Sequence, residues 1–433
     1  MSPSLVGIIG IAALVILLFS RIPVAFVMAL VGVAGFGYLI SFGASFNMVV
    51  KDLFGVFGSY SLTVIPLFIF MGQIAFHSGI SSRLFNVAYR FMGHWPGGLA
   101  IATVGACTGF AAICGSTNAT AATMAAVTLP EMKRYHYKDS LATGVVAAGG
   151  SLGILIPPSV IFIIYGVMTE QSIGKLFMAG ILPGLMLSLM FSIAIIIWVN
   201  LKPEIAPRGP NFSIKEKLKS LSGLIETIIL FLMVMGGLFF GIFTPTEAGA
   251  IGAFGTFLIA VVRRKISFQG FVQSLVETTR ISCMILMVVA GATIFGHFLA
   301  VTRIPFDVAN WVSSFNLSPN AIVGIIILVY LIGGCFIDAL ALITLTVPIF
   351  YPVIVSLGFD PIWFGVIIVL VTQIGVVTPP VGINVYVVSG IAKDVPLHVI
   401  FQGVIPLLIA LLLGTFLMIP FPQIALFLPG LMK

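Results

Sequence analysis

Residues 149–167 read GGSLGILIPPSVIFIIYGV. The stretch is apolar enough to lie inside a bilayer, yet Pro157 and Pro158 interrupt it near the middle. Residues 372–390, TQIGVVTPPVGINVYVVSG, carry the same interruption at Pro379 and Pro380. Proline has no N–H to donate and its ring excludes the preceding turn, so neither stretch continues as one helix. Irregular backbone at membrane depth is tolerated only where protein buries it or a water-filled cavity solvates it. Two such breaks therefore point to a helical membrane protein whose discontinuous spans enclose something.

Composition agrees. Of 433 residues, 60% are hydrophobic and only 8% charged, which excludes a soluble domain of this length. Apolar runs of about 20 residues recur along the chain, long enough to cross a bilayer as helix. The alternating short segments of a β-barrel are missing. The first run, residues 5–19, lacks a basic flank and a cleavage site, so it reads as a retained span. The net charge of +7 resides in loops between spans, as topology determinants do, and gives no reason to expect nucleic acid. Cys107, Cys114, Cys283 and Cys335 lie in apolar stretches without metal-ligand spacing and read as buried, inert thiols. No HExxH, GxSxG or P-loop is present, so the chain is not expected to be an enzyme or to hold a cofactor. Any transport must then run on an ion gradient or on an ATPase subunit outside this chain.

Simple spans are expected at residues 4–20, 23–41, 62–80, 176–200, 223–241, 245–262, 281–300, 319–336 and 399–419. Residues 91–130 lack Lys, Arg, Asp and Glu but hold CGSTNATAAT at their centre, which suggests two short helices meeting at a polar tip. The loop at 200–220, with five Lys/Arg and two Glu, divides the chain into related halves. The two proline pairs are 222 residues apart, as are Pro23 and Pro245; Pro183 and Pro406 differ by 223, and Pro130 and Pro348 by 218. Four proline pairs at nearly one offset indicate an internal duplication. EMKRYHYK at 131–138 follows the first hairpin with three basic residues, whereas its counterpart at 349–360 has none. The first hairpin should therefore enter from the cytoplasm and the second from the opposite face, leaving both termini outside. The expected fold is an all-α polytopic membrane protein with two inverted-topology repeats, re-entrant hairpins and discontinuous helices. The first repeat spans 1–220, with its tip near 115–120 and its break at 156–159. The second spans 221–433, with its tip near 333–340 and its break at 377–382.

A broken helix frees carbonyl oxygens, which suit hard cations such as Na⁺. The half-helix that follows presents N–H groups and a positive dipole end, which suit a carboxylate or sulfonate. At the first tip, Ser116, Thr117, Asn118 and Thr120 place hydroxyls and an amide among small residues; they either ligate an ion or cap helices. At the second, Asp338 is a carboxylate costing about 2.5–3.5 kcal/mol at membrane depth, which makes it functional by default. It is either a ligand or one half of a salt bridge. Glu247 is expected to cap its helix, and His77 and His297 to be satisfied core residues. SSRLFNVAYRFMGHW at 81–95 reads as an amphipathic helix along the membrane surface.

Five stretches carry a family resemblance: IPLFIFMGQIAFHSGIS (65–81), LPEMKRYHY (129–137), AAGGSLGILIPPSVIFIIYGVMTEQSIGKLFMAGILPGL (147–185), GIFTPTEAGAIGA (241–253) and TPPVGINVYVVSGIA (378–392). Together they resemble the large membrane (M, DctM-like) subunit of tripartite ATP-independent periplasmic (TRAP) transporters over almost the whole chain. The resemblance implies Na⁺-coupled uptake of a small organic anion by an elevator mechanism. The anion would be a carboxylate or sulfonate such as a C4-dicarboxylate, sialic acid or isethionate. It implies a soluble periplasmic binding protein, a separate small four-helix membrane subunit, and a place in the bacterial or archaeal cytoplasmic membrane. One Na⁺ site would comprise Ser116, Thr117, Asn118, Ile156 and Pro157; the other, Gly334, Asp338, Thr378 and Pro379. Substrate would contact Ser116, Asn118, Ser159, Gly382 and Asn384. The moving domain would take in 62–80, 97–170, 281–300 and 319–392, and the scaffold 1–61, 176–262 and 399–433. The rival reading is a single-component Na⁺/dicarboxylate symporter of related architecture.

Overall fold

Each proline pair ends one helix and delays the next. In the computed structural model, which describes residues 1–20, 22–314 and 318–432, helix Asp139–Ser151 passes into a short 3₁₀ turn and stops. The chain resumes as Val160–Thr169 only after Ser159. In the second half Pro361–Gly375 stops and Ile383–Ile391 resumes after Gly382. Both Pro-Pro bonds are cis. Residues 21, 315–317 and 433, which the expected repeats include, lie outside the described residues.

Upstream of each break stands a hairpin. Gly98–Cys114 and Thr117–Arg134 meet at Gly115 and Ser116; Pro319–Gly334 and Ala339–Ser356 meet at 335–338. The segment expected as a simple span at 319–336 is thus half of the second hairpin. At 1.5 Å per residue, Val160–Thr169 is only about 15 Å long, half of a bilayer core.

The order of elements repeats. Pro3–Leu18 and Val24–Leu39 correspond to Ile225–Phe239 and Pro245–Val262. A helix ending at His77 or Thr302 follows, then a residue with positive φ, Gly79 or Arg303, and then a short arm helix, Ile80–Met92 or Ile304–Ser314. After the hairpin and broken helix comes Ile173–Leu201 or Leu397–Leu417, each with its proline inside. No strand occurs among the described residues.

Two elements depart from expectation. Phe42–Phe57 is a helix although its polar residues make it unlike a span; Phe42, Phe46, Val50 and Phe54 form an exposed stripe at four-residue spacing, while Ser45 is buried and donates to the Val33 carbonyl. The span placed at 281–300 begins instead at Phe268 and runs 35 residues. Its first turns carry Gln273, Glu277 and Arg280, which a hydropathy reading assigns to a loop.

Backbone contacts at small residues fix the packing. A methyl group at Gly291 would strike the Ala25 carbonyl, and Phe298, fully buried, fills the space above Gly10 and Gly35. These contacts seat Phe268–Thr302 against the first two helices. Elsewhere Gly403 lies against Ser140 and Gly144, so Leu397–Leu417 touches Asp139–Ser151 backbone to backbone. Close approach of this kind is how helices associate in lipid, where no hydrophobic drive exists between them. Replacing Gly144 by Val should overpack that seat and cost about 1–3 kcal/mol. Gly324→Ala, with open space around it, should leave melting in detergent unchanged. Equal melting of the two variants would contradict the seat.

Candidate functional site

The hairpin tips and the breaks converge on one cavity of about 250 Å³. Ser116, Thr117 and Asn118 come to it from the first tip, Asp338 from the second, Ile154 and Val160 from the first broken helix, and Val376 from the second. Gln73, Met284 and Ile285 close it from the neighbouring helices.

Local chemistry sets each tip. Gly115 takes φ +65°, a left-handed turn that ends Gly98–Cys114 and that glycine adopts freely. A Cβ there would collide with the Pro158 carbonyl, so the tip lies directly on the first break. Ser116 is the N-cap of Thr117–Arg134, accepting from the Ala119 N–H at 3.4 Å. Thr117 donates to Asn118 Oδ1 at 3.2 Å, and Thr120 donates to the Ser116 carbonyl at 2.8 Å. Asp338 plays the same part in the second hairpin, accepting from the Leu340 N–H at 3.1 Å. No cation pairs with it among the described residues, so the salt-bridged alternative does not hold. Both expected alternatives for the first tip are compatible, because a capping hydroxyl keeps a free lone pair toward the cavity.

The remaining candidates stand behind this surface. Ile156 and Pro157 are buried, with the Ile156 side chain against Gly184 and not on the cavity wall. Ser159 is fully buried, donating to the Ile154 carbonyl and accepting from Phe162 N–H at 3.4 Å as the cap of Val160–Thr169. Gly334 meets Gly375 backbone to backbone. Thr378 is half-buried and donates to the Ile374 carbonyl at 2.6 Å, while Pro379 and Pro380 are exposed. Gly382 has φ +56° and caps Ile383–Ile391 without a side chain. Asn384 is fully buried and donates to the Ala147 carbonyl at 3.0 Å, so it braces the two broken helices and does not line the cavity. Ser159, Gly382 and Asn384 are therefore not on the cavity wall.

Sequence reasoning passed over Gln73, a lone amide in FIFMGQIAF whose isolation among apolar residues was the available signal. It also passed over Gln373, fully buried, which donates to Ser151 Oγ at 3.0 Å.

Polar residues elsewhere sort as follows. Glu247 accepts from Thr244 N–H and hydroxyl, forming the expected cap. His77 is partly buried. His297 is half-exposed and faces Asp52 at 3.3 Å, so it is not the core residue expected. Cys107 and Cys114 are buried, but Cys283 is exposed and Cys335 partly so, because apolar surroundings in a membrane protein include lipid. Arg83, on the amphipathic arm, pairs with buried Glu226 at 2.7 Å, and Arg263 reaches the other oxygen at 2.9 Å. Beyond the spans, Lys133 at the end of the first hairpin ion-pairs with Asp394, and its hydrogen bond and charge hold the Asp394 carboxyl below its usual range.

Re-entrant hairpins, paired broken helices and a polar cavity between them define a membrane transporter. Residues 11–424 match the family model of the tripartite ATP-independent periplasmic transporter, DctM component. The chain belongs to that family, and is a multi-pass large permease subunit of a TRAP transporter and not an enzyme. It is 37% identical over 379 residues to the C4-dicarboxylate TRAP transporter large permease protein DctM of Pseudomonas aeruginosa, covering 87% of this chain and 88% of that one. It is 34% identical over 416 residues to the sialic acid TRAP transporter large permease protein SiaM of Vibrio cholerae, covering 96% of each. In fold it is similar to the Alcanivorax borkumensis YdaH transporter, described as having an unusual topology: TM-score 0.63, 15% identity, covering 90% of this chain and 89% of the other.

Asp338 combines a cap with a charge, and substitution separates them. Asp338→Asn keeps a good N-cap and should retain the melting temperature while abolishing reconstituted uptake. Asp338→Ala loses the cap as well, costing about 1 kcal/mol more. Full uptake by the Asn variant would reduce Asp338 to a cap.

Proposed function

We propose that the chain moves a small organic anion, a carboxylate or a sulfonate, into the cell together with Na⁺. The observation carrying this reading is the polarity of the helix ends around the cavity. Thr117–Arg134, Ala339–Ser356, Val160–Thr169 and Ile383–Ile391 all begin beside the tips and breaks, where their N-terminal dipole ends favour an anion. Asp139–Ser151 and Pro361–Gly375 end there, offering carbonyls to a cation. Ser116, Thr117, Asn118, Ile156 and Pro157 are assigned to one Na⁺ site. Gly334, Asp338, Thr378 and Pro379 are assigned to the other. Permeases named for a C4-dicarboxylate and for sialic acid match this chain about equally well. Similarity alone therefore selects no anion. A small membrane subunit and a periplasmic binding protein complete the transporter, in the bacterial inner membrane.

Packing also suggests how the domains divide, at boundaries different from those expected from sequence. Leu397–Leu417 shares a backbone seat with the first broken helix, and Ile173–Leu201 packs against it. We therefore place both with the hairpins in the moving body. Val64–His77 meets Pro245–Val262 at Gly249 and Gly252, and Phe268–Thr302 meets Val24–Leu39 at Gly32. Those helices we assign to the scaffold. The moving body would slide as an elevator.

Proteoliposomes holding this chain, its small subunit and the binding protein should accumulate the anion under an inward Na⁺ gradient. Ser116→Ala and Thr378→Val should each reduce uptake at limiting Na⁺ more than at saturating Na⁺. Uptake by the chain alone would favour a single-component symporter, and uptake indifferent to Na⁺ would refute the coupling. Cysteines at Pro157 and Pro379 should exchange accessibility between the two faces as Na⁺ and anion are added; fixed accessibility would refute the elevator.

A further inference from the structure

Two amide oxygens in the centre of the protein have no partner. Gln373 and Asn384 are both fully buried, and Gln373 Oε1 and Asn384 Oδ1 make no hydrogen bond. Their orientations are fixed by what the nitrogens do. Asn384 Nδ2 faces the Ala147 carbonyl, which only a donor can meet. Gln373 Nε2 faces Ser151 Oγ, whose proton is already given to the Ala148 carbonyl at 2.6 Å. Turning Asn384 over would set its oxygen against the Ala147 carbonyl, and turning Gln373 over would take the Ser151 hydroxyl away from the Ala148 carbonyl. The two amides grip residues 147 and 151 of one helix, about 6 Å apart along it, so both reach the same stretch of that helix. A buried polar atom left unpaired costs about 1–3 kcal/mol, so each of these acceptors calls for an electropositive partner.

Water and a cation would both satisfy two acceptors. Electrostatics separates them, because a negative potential stabilises a net positive charge whereas a neutral water gains only through its dipole. Asp139–Ser151 ends at Ser151, and Pro361–Gly375 ends two residues beyond Gln373. Two helix C-termini, each equivalent to roughly half a negative charge, thus lie beside these side chains against one N-terminus of opposite sign, that of Ile383–Ile391 where Asn384 stands. Residues 140–169 and 361–392 contain no Lys or Arg to neutralise them.

We propose that Gln373 and Asn384 hold a monovalent cation of the Na⁺ class between the two broken helices, in addition to the two sites at the hairpin tips. The site rests on the Na⁺-coupled reading but uses none of its tip residues. It has a symmetrical place in the fold, since Ser151 and Gln373 are 222 residues apart, at the repeat offset, each six residues before its proline pair. A cation here ties together equivalent points of both repeats and would make occupancy of one break felt at the other.

The test is the Na⁺ dependence of melting for the full chain purified in detergent with its membrane partner, using choline as the control cation. An ion bound only by the folded state raises the melting temperature with its concentration. Gln373→Leu should flatten part of the Na⁺ response, and Gln373→Glu should shift it to several-fold lower Na⁺, since a carboxylate in a cation site strengthens it. A water site predicts the reverse for Gln373→Glu: lower melting at every salt concentration with an unchanged Na⁺ response, which would overturn the proposal. So would Gln373→Leu responding as the unsubstituted protein does. If Gln373→Leu fails to fold, Gln373→Glu still decides. An unsubstituted protein that responds to Na⁺ only through Ser116 and Asp338 removes this site alone; one indifferent to Na⁺ removes the Na⁺-coupled reading with it.

Discussion

Everything in this protein follows from ending helices inside a membrane. An ended helix leaves up to four carbonyls or four N–H groups unpaired, each costing several kcal/mol in hydrocarbon. The two hairpins and two breaks place several such ends at one depth. The protein meets the cost by pressing backbone on backbone: Gly115 on the Pro158 carbonyl, Gly153 on the Ser116 carbonyl, Gly375 on Gly334. The last two contacts are one contact made twice. Gly153 and Gly375 are 222 residues apart, and Ser116 and Gly334 are 218 apart, the spacings of the proline pairs. In each repeat a hairpin tip lies against a glycine just ahead of the break. A side chain at either glycine would lift the tip away and let lipid reach unpaired groups.

This arrangement also explains the polarity of the site. Once tip and break are in contact, N-terminal and C-terminal helix ends necessarily lie side by side. The anion-favouring and cation-favouring ends are then two consequences of one fold. Ser116 and Asp338 are caps for the same reason that they face the cavity: the first residue before a helix points its oxygen back over the helix end.

Sequence legibility tracked what each feature depends on. The breaks, the hairpins and the duplication were readable because proline and uncharged polar tips leave local marks, and the family motifs run through them. The tip residues were readable because Ser116, Thr117, Asn118 and Asp338 are polar where lipid-facing residues cannot be. Helix Phe42–Phe57 was missed because an amphipathic helix fails a hydropathy test that its four-residue stripe would have passed. Ser159 and Asn384 were placed at the substrate by family resemblance; in the fold Ser159 is bonded as both donor and acceptor, while Asn384 gives its nitrogen to the Ala147 carbonyl and keeps its oxygen unpaired. Which side of a broken helix a residue faces depends on the partner helix, and a single sequence does not encode that locally.

The proposed domain boundary bears on the same question at a larger scale. A sequence divides at its loops, so Leu397–Leu417 looked separable from the broken helix before it. Gly403 lies against Ser140 and Gly144, a backbone seat that on the proposed division puts the two helices in one body. Conversely, the arm helix Ile80–Met92 is tied by Arg83 to Glu226 on Ile225–Phe239, and its buried face, including Leu84, packs toward Gly109 of the first hairpin. The charged side of this arm is tied to Ile225–Phe239, and its apolar side packs on the first hairpin. Buried carboxylate and guanidinium pairs are costly to separate, whereas an apolar face can shift along another apolar face with little change in energy. On the proposed elevator, the arm would keep its ion pair to Ile225–Phe239 and any sliding would fall on its apolar side, where Leu84 lies against Gly109.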